Sequence, residues 1–139
     1  MSTEQKNTVK NVKKDFSLRG LYKILTYTMS GLIYFFKNER SAIIYIVAAA
    51  LCVVTGVVLE LAFMEWVIIV FVLLTILSAE LINTSIEAIC DLVSPEYNPL
   101  VKIAKDCGSA ATGVLTAFGF VIVTIIYLPR IIYFVQSLL

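Results

Sequence analysis

Hydrophobic positions divide this chain into four segments. Over residues 16–36, Leu18, Leu21, Tyr22, Leu25, Met29, Leu32, Ile33 and Phe36 recur at three- and four-residue steps, with Arg19 and Lys23 interspersed and Lys37 just beyond. That spacing predicts an amphipathic helix suited to lie in a membrane interface. Three further runs, 41–59, 64–92 and 110–128, are predominantly apolar. Each reaches or approaches the ~20 residues needed to cross ~30 Å of hydrocarbon. The predicted fold is all-α: three transmembrane helices plus the interfacial helix, forming one domain over 16–139 behind a polar segment, 1–15. Glu60 and Glu65 bracket a tight first connection, and 93–109 is expected to form the second. Pro129 is expected to end or kink the third span, leaving 131–139 along the interface.

Charge orients this arrangement. Eight of the eleven Lys and Arg fall in residues 1–40, and Lys102 and Lys105 lie in the second connection. The positive-inside rule therefore places the N-terminus and the second connection in the cytoplasm, with the Glu60–Glu65 turn outside and Arg130 as a single exception. A hydrophobic chain follows the basic cluster directly, so anionic lipid headgroups are its expected partner and nucleic acid is not. Hydrophobic residues make up 60% of the chain. A mean hydropathy of +0.92 excludes a soluble domain of this size. The chain has no histidine, which excludes histidine catalysis and histidine metal ligation. Cys52, Cys90 and Cys107 lack metal-ligand spacing and are expected to be small, reduced packing residues. No apolar leader with a cleavage site opens the chain, so no secretory signal is expected.

The second span carries the candidate chemistry. Glu80, Asn83 and Glu87 interrupt its apolar run, and Asp91 follows. At about 100° per residue, Glu87 and Asp91 fall about 20° either side of Glu80, and Asn83 about 60° away. Ionisable groups cost several kcal/mol each inside a membrane helix, so one polar stripe there marks a functional site by default. Counting about 1.5 Å per residue from Trp66, Glu80 lies about 21 Å down and Glu87 about 31 Å. Glu80 is thus at the depth of a lipid hydroxyl, where burial suits a general base. Glu87, at the water boundary, suits a hard cation such as magnesium, and Asn83 can orient either. Residues 104–111, Ala-Lys-Asp-Cys-Gly-Ser-Ala-Ala, add a cation at Lys105 and a carboxylate at Asp106, and Glu39 adds a further carboxylate. A base, metal ligands and a cationic clamp are what phosphoryl transfer requires.

Each of these residues also fits a plainer role. Glu80 suits a structural partner for polar groups on other helices, and Glu87 with Asp91 suits a solvated helix end. Lys105 suits a positive-inside anchor, and Glu39 with Arg40 an exposed ion pair. Outside catalysis, the stripe could line an oligomeric ion or proton channel or transporter, or bind a partner helix in a structural subunit. A pore needs neither Lys105-Asp106 beside the stripe nor carboxylates confined to the cytoplasmic half. No Walker loop or protein-kinase signature is present.

The two stretches Glu80-Leu-Ile-Asn-Thr-Ser-Ile-Glu-Ala-Ile-Cys-Asp91 and Ala104-Lys-Asp-Cys-Gly-Ser-Ala-Ala111 resemble the bacterial integral-membrane diacylglycerol kinase family, which includes the undecaprenol kinases of Gram-positive bacteria. The likeness covers roughly residues 16–130. It implies a three-span lipid kinase of the bacterial plasma membrane, a homotrimer with active sites shared between subunits, using ATP and Mg2+. By the resemblance, Glu80 is the general base at the lipid hydroxyl and Asn83 belongs to the active-site motif. Glu39 and Glu87 hold the metal and meet the nucleotide. Lys105 and Asp106 serve the nucleotide phosphates, Tyr27 contacts the nucleotide, and Glu96, Tyr97 and Asn98 form the adenine-side loop. Ser109 touches the lipid. Gly20 stands where the family's best-known member has arginine, with Arg19 one residue earlier, and Asn98 and Cys107 replace a histidine and a methionine. Pro95, Pro99 and the Leu128-Pro129-Arg130 ending look more like the Gram-positive branch, which points to undecaprenol as substrate, with diacylglycerol as the alternative.

Overall fold

The computed structural model describes residues 18–139. The polar segment 1–15 and the expected start of the first helix at 16 lie outside these residues. Four helices follow in order: α1 (Leu18–Asn38), α2 (Arg40–Val58), α3 (Phe63–Val93) and α4 (Pro99–Leu138). There is no strand among the described residues. Helices α2, α3 and α4 are each long and apolar enough to cross a membrane. The chain divides into two compact units after Ile33.

Within the first unit, α1 shows the expected amphipathic spacing, and Leu21, Tyr22, Leu25 and Met29 are all exposed. Thr26 and Thr28 return their hydroxyls to the carbonyls of Tyr22 and Ile24, both at 2.9 Å. The second unit begins with the last turn of α1. A single extended residue, Glu39 (φ −94°, ψ 132°), separates α1 from α2 and serves as the N-cap of α2. Its amide donates to the Phe35 carbonyl at 3.0 Å. Phe35 is fully buried, packed edge-on against Phe36 with ring centroids 5.2 Å apart.

The α2–α3 connection shows why so short a turn suffices. The Leu61 amide reaches back to the Gly56 carbonyl (3.1 Å) and the Glu60 amide to that of Val57 (3.2 Å). This closes the last turn of α2 in the manner of a Schellman motif. Glu60 takes the left-handed position with φ 50°, where glycine is the usual occupant. Gly56 is required for a different reason: a Cβ there would meet Leu61 Cδ1 and Trp66 Cη2 at 2.8 Å. Across the turn, Glu65 accepts from the Ala62 amide at 2.7 Å and caps the start of α3.

Helix α3 packs mainly along α4 and more lightly on α2. On α4 the inward face is Gly108, Thr112, Gly119 and Tyr127. A Cβ on Gly119 would sit 2.8 Å from Ile76 Cδ1 and 2.9 Å from Val72 Cγ1, so the two backbones approach closely there. A buried cluster of Leu59, Leu61, Ile69 and Tyr127 fills the end near the α2–α3 turn. Partly buried polar side chains also stitch the helices together. Tyr127 donates to the Cys52 carbonyl (2.7 Å) and Tyr45 to that of Leu73 (3.2 Å). Arg130 makes a two-armed contact with Glu65, Nη2 to Oε2 at 2.7 Å and Nε to Oε1 at 3.3 Å. That contact supplies a partner for the one cation that broke the charge rule.

The structure corrects the sequence reading in α4. The segment 93–109 is not an extended connection: only 94–98 is non-helical, and α4 begins at Pro99. The Asn98 side chain accepts from the Leu100 amide (2.9 Å), and proline occupies the first turn, where its missing N–H costs nothing. Nor does Pro129 end the helix, which runs on through 131–138. Proline removes one backbone bond there, while the Arg130–Glu65 contact ties the next residue to α3. All three cysteines are free thiols.

Candidate active site

The polar stripe of α3 faces the head of α2 and the start of α4's apolar stretch. Together they enclose an open cleft of about 430 Å³, lined by Glu80, Asn83, Thr84 and Glu87 from α3. Asn38, Glu39, Arg40 and Ser41 come from the α1–α2 joint, and Ser109 and Thr112 from α4. Five predicted site residues, Glu39, Glu80, Asn83, Glu87 and Ser109, therefore meet in one place. Glu39 is brought there by its position at the break between two helices, which no periodicity of its own would reveal.

Within the cleft, Asn83 Nδ2 donates to Glu87 Oε1 at 3.0 Å, so Asn83 orients Glu87. Asn83 Oδ1 is buried without a hydrogen-bond partner. That oxygen is packed against Gly108, where any Cβ would collide with it. The glycine at 108 thus makes room for an amide, and the amide fixes a carboxylate.

A second cleft of about 390 Å³ holds most of the remaining predicted residues: Glu96, Tyr97, Asn98, Lys105 and Asp106, with Asp91, Ser94, Pro95, Val101 and Lys102. Glu87 and Asp91 are one turn apart on α3, so the two clefts adjoin along that helix. Tyr97 is almost fully exposed, Asn98 is engaged as the cap of α4, and the Glu96 carbonyl accepts from Ser94 Oγ at 3.0 Å. Lys105 and Asp106 each pair with a different residue. Lys105 Nζ contacts Asp91 Oδ1 at 2.5 Å, while Asp106 pairs with Lys102 one helical turn away. Lys105 lies in the polar first turns of α4, before the apolar stretch 110–128. The hydrogen bond to Asp91 holds its ammonium above the ordinary lysine value; desolvation opposes this, and the charges of Asp91 and Glu87 reinforce it.

Tyr27 stands exposed on α1 in the first unit, outside the residues that line these clefts. Sequence reasoning missed Arg40, Thr84 and Thr112 in the first cleft and Lys102 in the second. Lys102 was visible as an i,i+4 partner of Asp106. The Glu39–Arg40 ion pair, the plainer alternative for these two residues, does not form among the described residues. No group of three carboxylates or thiols capable of holding a cation unaided occurs among the described residues.

A family model described as prokaryotic diacylglycerol kinase matches residues 26–127. The undecaprenol kinase of Bacillus subtilis is 31% identical over 114 residues, covering 82% of this chain and 93% of that protein. The diacylglycerol kinase of Helicobacter pylori is 35% identical over 91 residues, covering 66% and 71% respectively. That of Escherichia coli K12 is 32% identical over 104 residues, covering 75% and 84%.

Proposed function

The chain belongs to the prokaryotic diacylglycerol kinase family and is a multi-pass membrane lipid kinase; on that premise we propose that it transfers the γ-phosphoryl group of ATP to the hydroxyl of undecaprenol, giving undecaprenyl phosphate. One observation carries the reading: Glu39, Glu80, Asn83, Glu87 and Ser109 share a single cleft. Undecaprenol is favoured because the undecaprenol kinase relative aligns over nearly its whole length. The diacylglycerol kinases among the relatives keep diacylglycerol as the second candidate.

In the proposed reaction, Glu80 takes the proton of the lipid hydroxyl as its oxygen attacks the γ-phosphorus. The bond to the β,γ-bridging oxygen breaks, ADP leaves, and Glu80 returns its proton to water. Ser109 sits on α4 in the same cleft and orients the lipid hydroxyl. Lys105 and Asp106, with Glu96, Tyr97 and Asn98, hold the nucleotide in the adjoining cleft; Tyr27 is proposed as a nucleotide contact on the resemblance alone. Glu39 and Glu87 offer an all-oxygen donor pair, and magnesium is commonly held by one or two carboxylates plus substrate phosphates. A carboxylate pair fits that donor set, so Glu39 and Glu87 are the residues that would hold Mg2+, with Glu80 left to the lipid hydroxyl. Bound there, it would neutralise charge on the phosphate oxygens. Asn83 keeps Glu87 turned toward that position through its 3.0 Å hydrogen bond.

The same reading places the N-terminus in the cytoplasm, on the positive-inside rule, and the kinase domain over 16–139 in the bacterial plasma membrane. It also makes the working unit a homotrimer with shared sites. Large apolar side chains such as Phe71, Phe118 and Phe120 are exposed on faces that one chain leaves uncovered. Purified protein in detergent, given labelled ATP, Mg2+ and either lipid, tests the proposal. Transfer to undecaprenol at a higher kcat/KM than to diacylglycerol supports it. Preference for diacylglycerol replaces the substrate, and transfer to neither removes the reading.

A further inference from the structure

The charges around the two clefts are unevenly matched. Lys102 and Lys105 in the second cleft are each held by a carboxylate, Asp106 and Asp91. Arg130 is bound to Glu65 near the α2–α3 turn. The first cleft presents three carboxylates, Glu39, Glu80 and Glu87, and one cation, Arg40. Arg40 forms no ion pair with any of them, or with any other carboxylate among the described residues. Arg40 lines the same cleft as these carboxylates and is exposed, so its guanidinium is available to an incoming anion. Arg40 is also the first residue of α2, so the partial positive charge of that helix end adds to its own.

Resting on the lipid-kinase reading of this cleft, we propose that Arg40 is a further catalytic residue that clamps the phosphoryl group in transfer. The nucleotide's base and inner phosphates belong to the lysine-bearing cleft, and the lipid hydroxyl belongs at Glu80. The group passing between them must cross the cleft that Arg40 lines. As the lipid oxygen bonds to phosphorus and the bridging oxygen departs with ADP, negative charge spreads over the phosphoryl oxygens. A planar guanidinium offers two parallel donors to two of those oxygens, which a lysine ammonium cannot match. The hydroxyl proton goes to Glu80, so Arg40 remains charged throughout.

The test uses the full chain in detergent with Arg40→Gln and Arg40→Lys. Two readouts are taken: kcat and KM with lipid and ATP, and the affinities for the magnesium complexes of ADP and of a non-hydrolysable ATP analogue. Arg40→Gln should lower kcat about 100-fold, the scale for losing one donor to developing charge, with the lipid KM nearly unchanged. It should also lose about tenfold in preference for the triphosphate analogue over ADP, while ADP binding stays near wild type. Arg40→Lys should fall between. A Gln variant with kcat within twofold of wild type and an unchanged analogue-to-ADP ratio would overturn the proposal and leave Arg40 as a membrane-surface anchor. If the Gln variant does not fold, Arg40→Lys decides: a kcat about tenfold down supports the clamp, and full activity refutes it. If the wild-type chain transfers to neither lipid, the lipid-kinase reading fails. The analogue-to-ADP ratio then still decides the Arg40 site, lost preference supporting it and unchanged preference refuting it.

Discussion

Gly108→Ala is a single-methyl change aimed at the middle of the site. The added Cβ would overlap Asn83 Oδ1, nearer than real side chains approach, while Ile86 Cδ1 at 3.7 Å would be an ordinary contact. The amide must therefore rotate, because the α4 backbone is held by its packing on α3. Rotation forfeits the 3.0 Å hydrogen bond from Nδ2 to Glu87, about 1.5–3 kcal/mol for a bond to a charged group. An off-rotamer side chain adds about 0.5–1.5 kcal/mol. The expected loss is about 2–4.5 kcal/mol, read as a lower thermal midpoint in detergent and a raised apparent KM for Mg2+ as Glu87 loses its orienting partner. A double-mutant cycle isolates the cause. Asn83→Ala removes the colliding atoms, so adding Gly108→Ala to it should cost less than about 0.5 kcal/mol. Equal cost in both backgrounds, or a fully active and stable Gly108→Ala, would refute the chain of contact from glycine to amide to carboxylate.

Three further outcomes are expected. Gly119→Val and Gly56→Val should each lower the thermal midpoint by several degrees, because a Cβ at either meets neighbours at 2.8 Å; Gly31→Ala and Gly113→Ala meet nothing within 4 Å of the chain itself, so equal damage at all four in a monomer would sink the packing account. Glu60→Gly relieves the left-handed φ of 50° and should stabilise the fold by about 0.5–1 kcal/mol in thermal unfolding. The folded-state pKa of Lys105 is raised, so its contribution is complete below the ordinary lysine value of about 10.5 and disappears only as pH rises through the higher folded value. Lys105→Arg should then leave the shape of the kcat profile between pH 6 and 9 unchanged whatever its height, and a shifted limb in that window would show that Lys105 titrates there.

The apolar runs forecast α2 and α3 to within a residue or so, because a span in lipid has little freedom beyond length and hydrophobicity. They misjudged α4, since its first turns are polar and were read as loop despite the Asn98-Pro99 start signal. The run through Pro129 was hidden for another reason: the Arg130–Glu65 contact depends on tertiary approach. The stripe from Glu80 to Glu87 was legible because carboxylates in an apolar run stand out at helical spacing. The partition into two clefts was not, because which carboxylate Lys105 meets depends on how α4 faces α3. Gly108 was legible as a small residue, but its fit to the Asn83 amide emerges only when both helices are present. Of the glycines, Gly56 and Gly119 face a close neighbour within the chain, whereas Gly31 and Gly113 do not, and sequence alone gives all four the same small side chain.

Helix α4 is fastened to α3 near both ends, by the Gly108–Asn83 fit and by the Arg130–Glu65 contact. The fasteners lie 22 residues apart on α4, about 33 Å of helix. Neither helix can slide past the other without breaking one of them. In a bilayer thinner or thicker than its apolar length, the pair must therefore tilt as one stiff beam rather than shear. Tilting changes how deeply Glu80 and Glu87 sit but not how they face Ser109 and Thr112 across the cleft. Bilayer thickness should act on this kinase as a setting of depth, leaving the α3–α4 side of the cleft aligned.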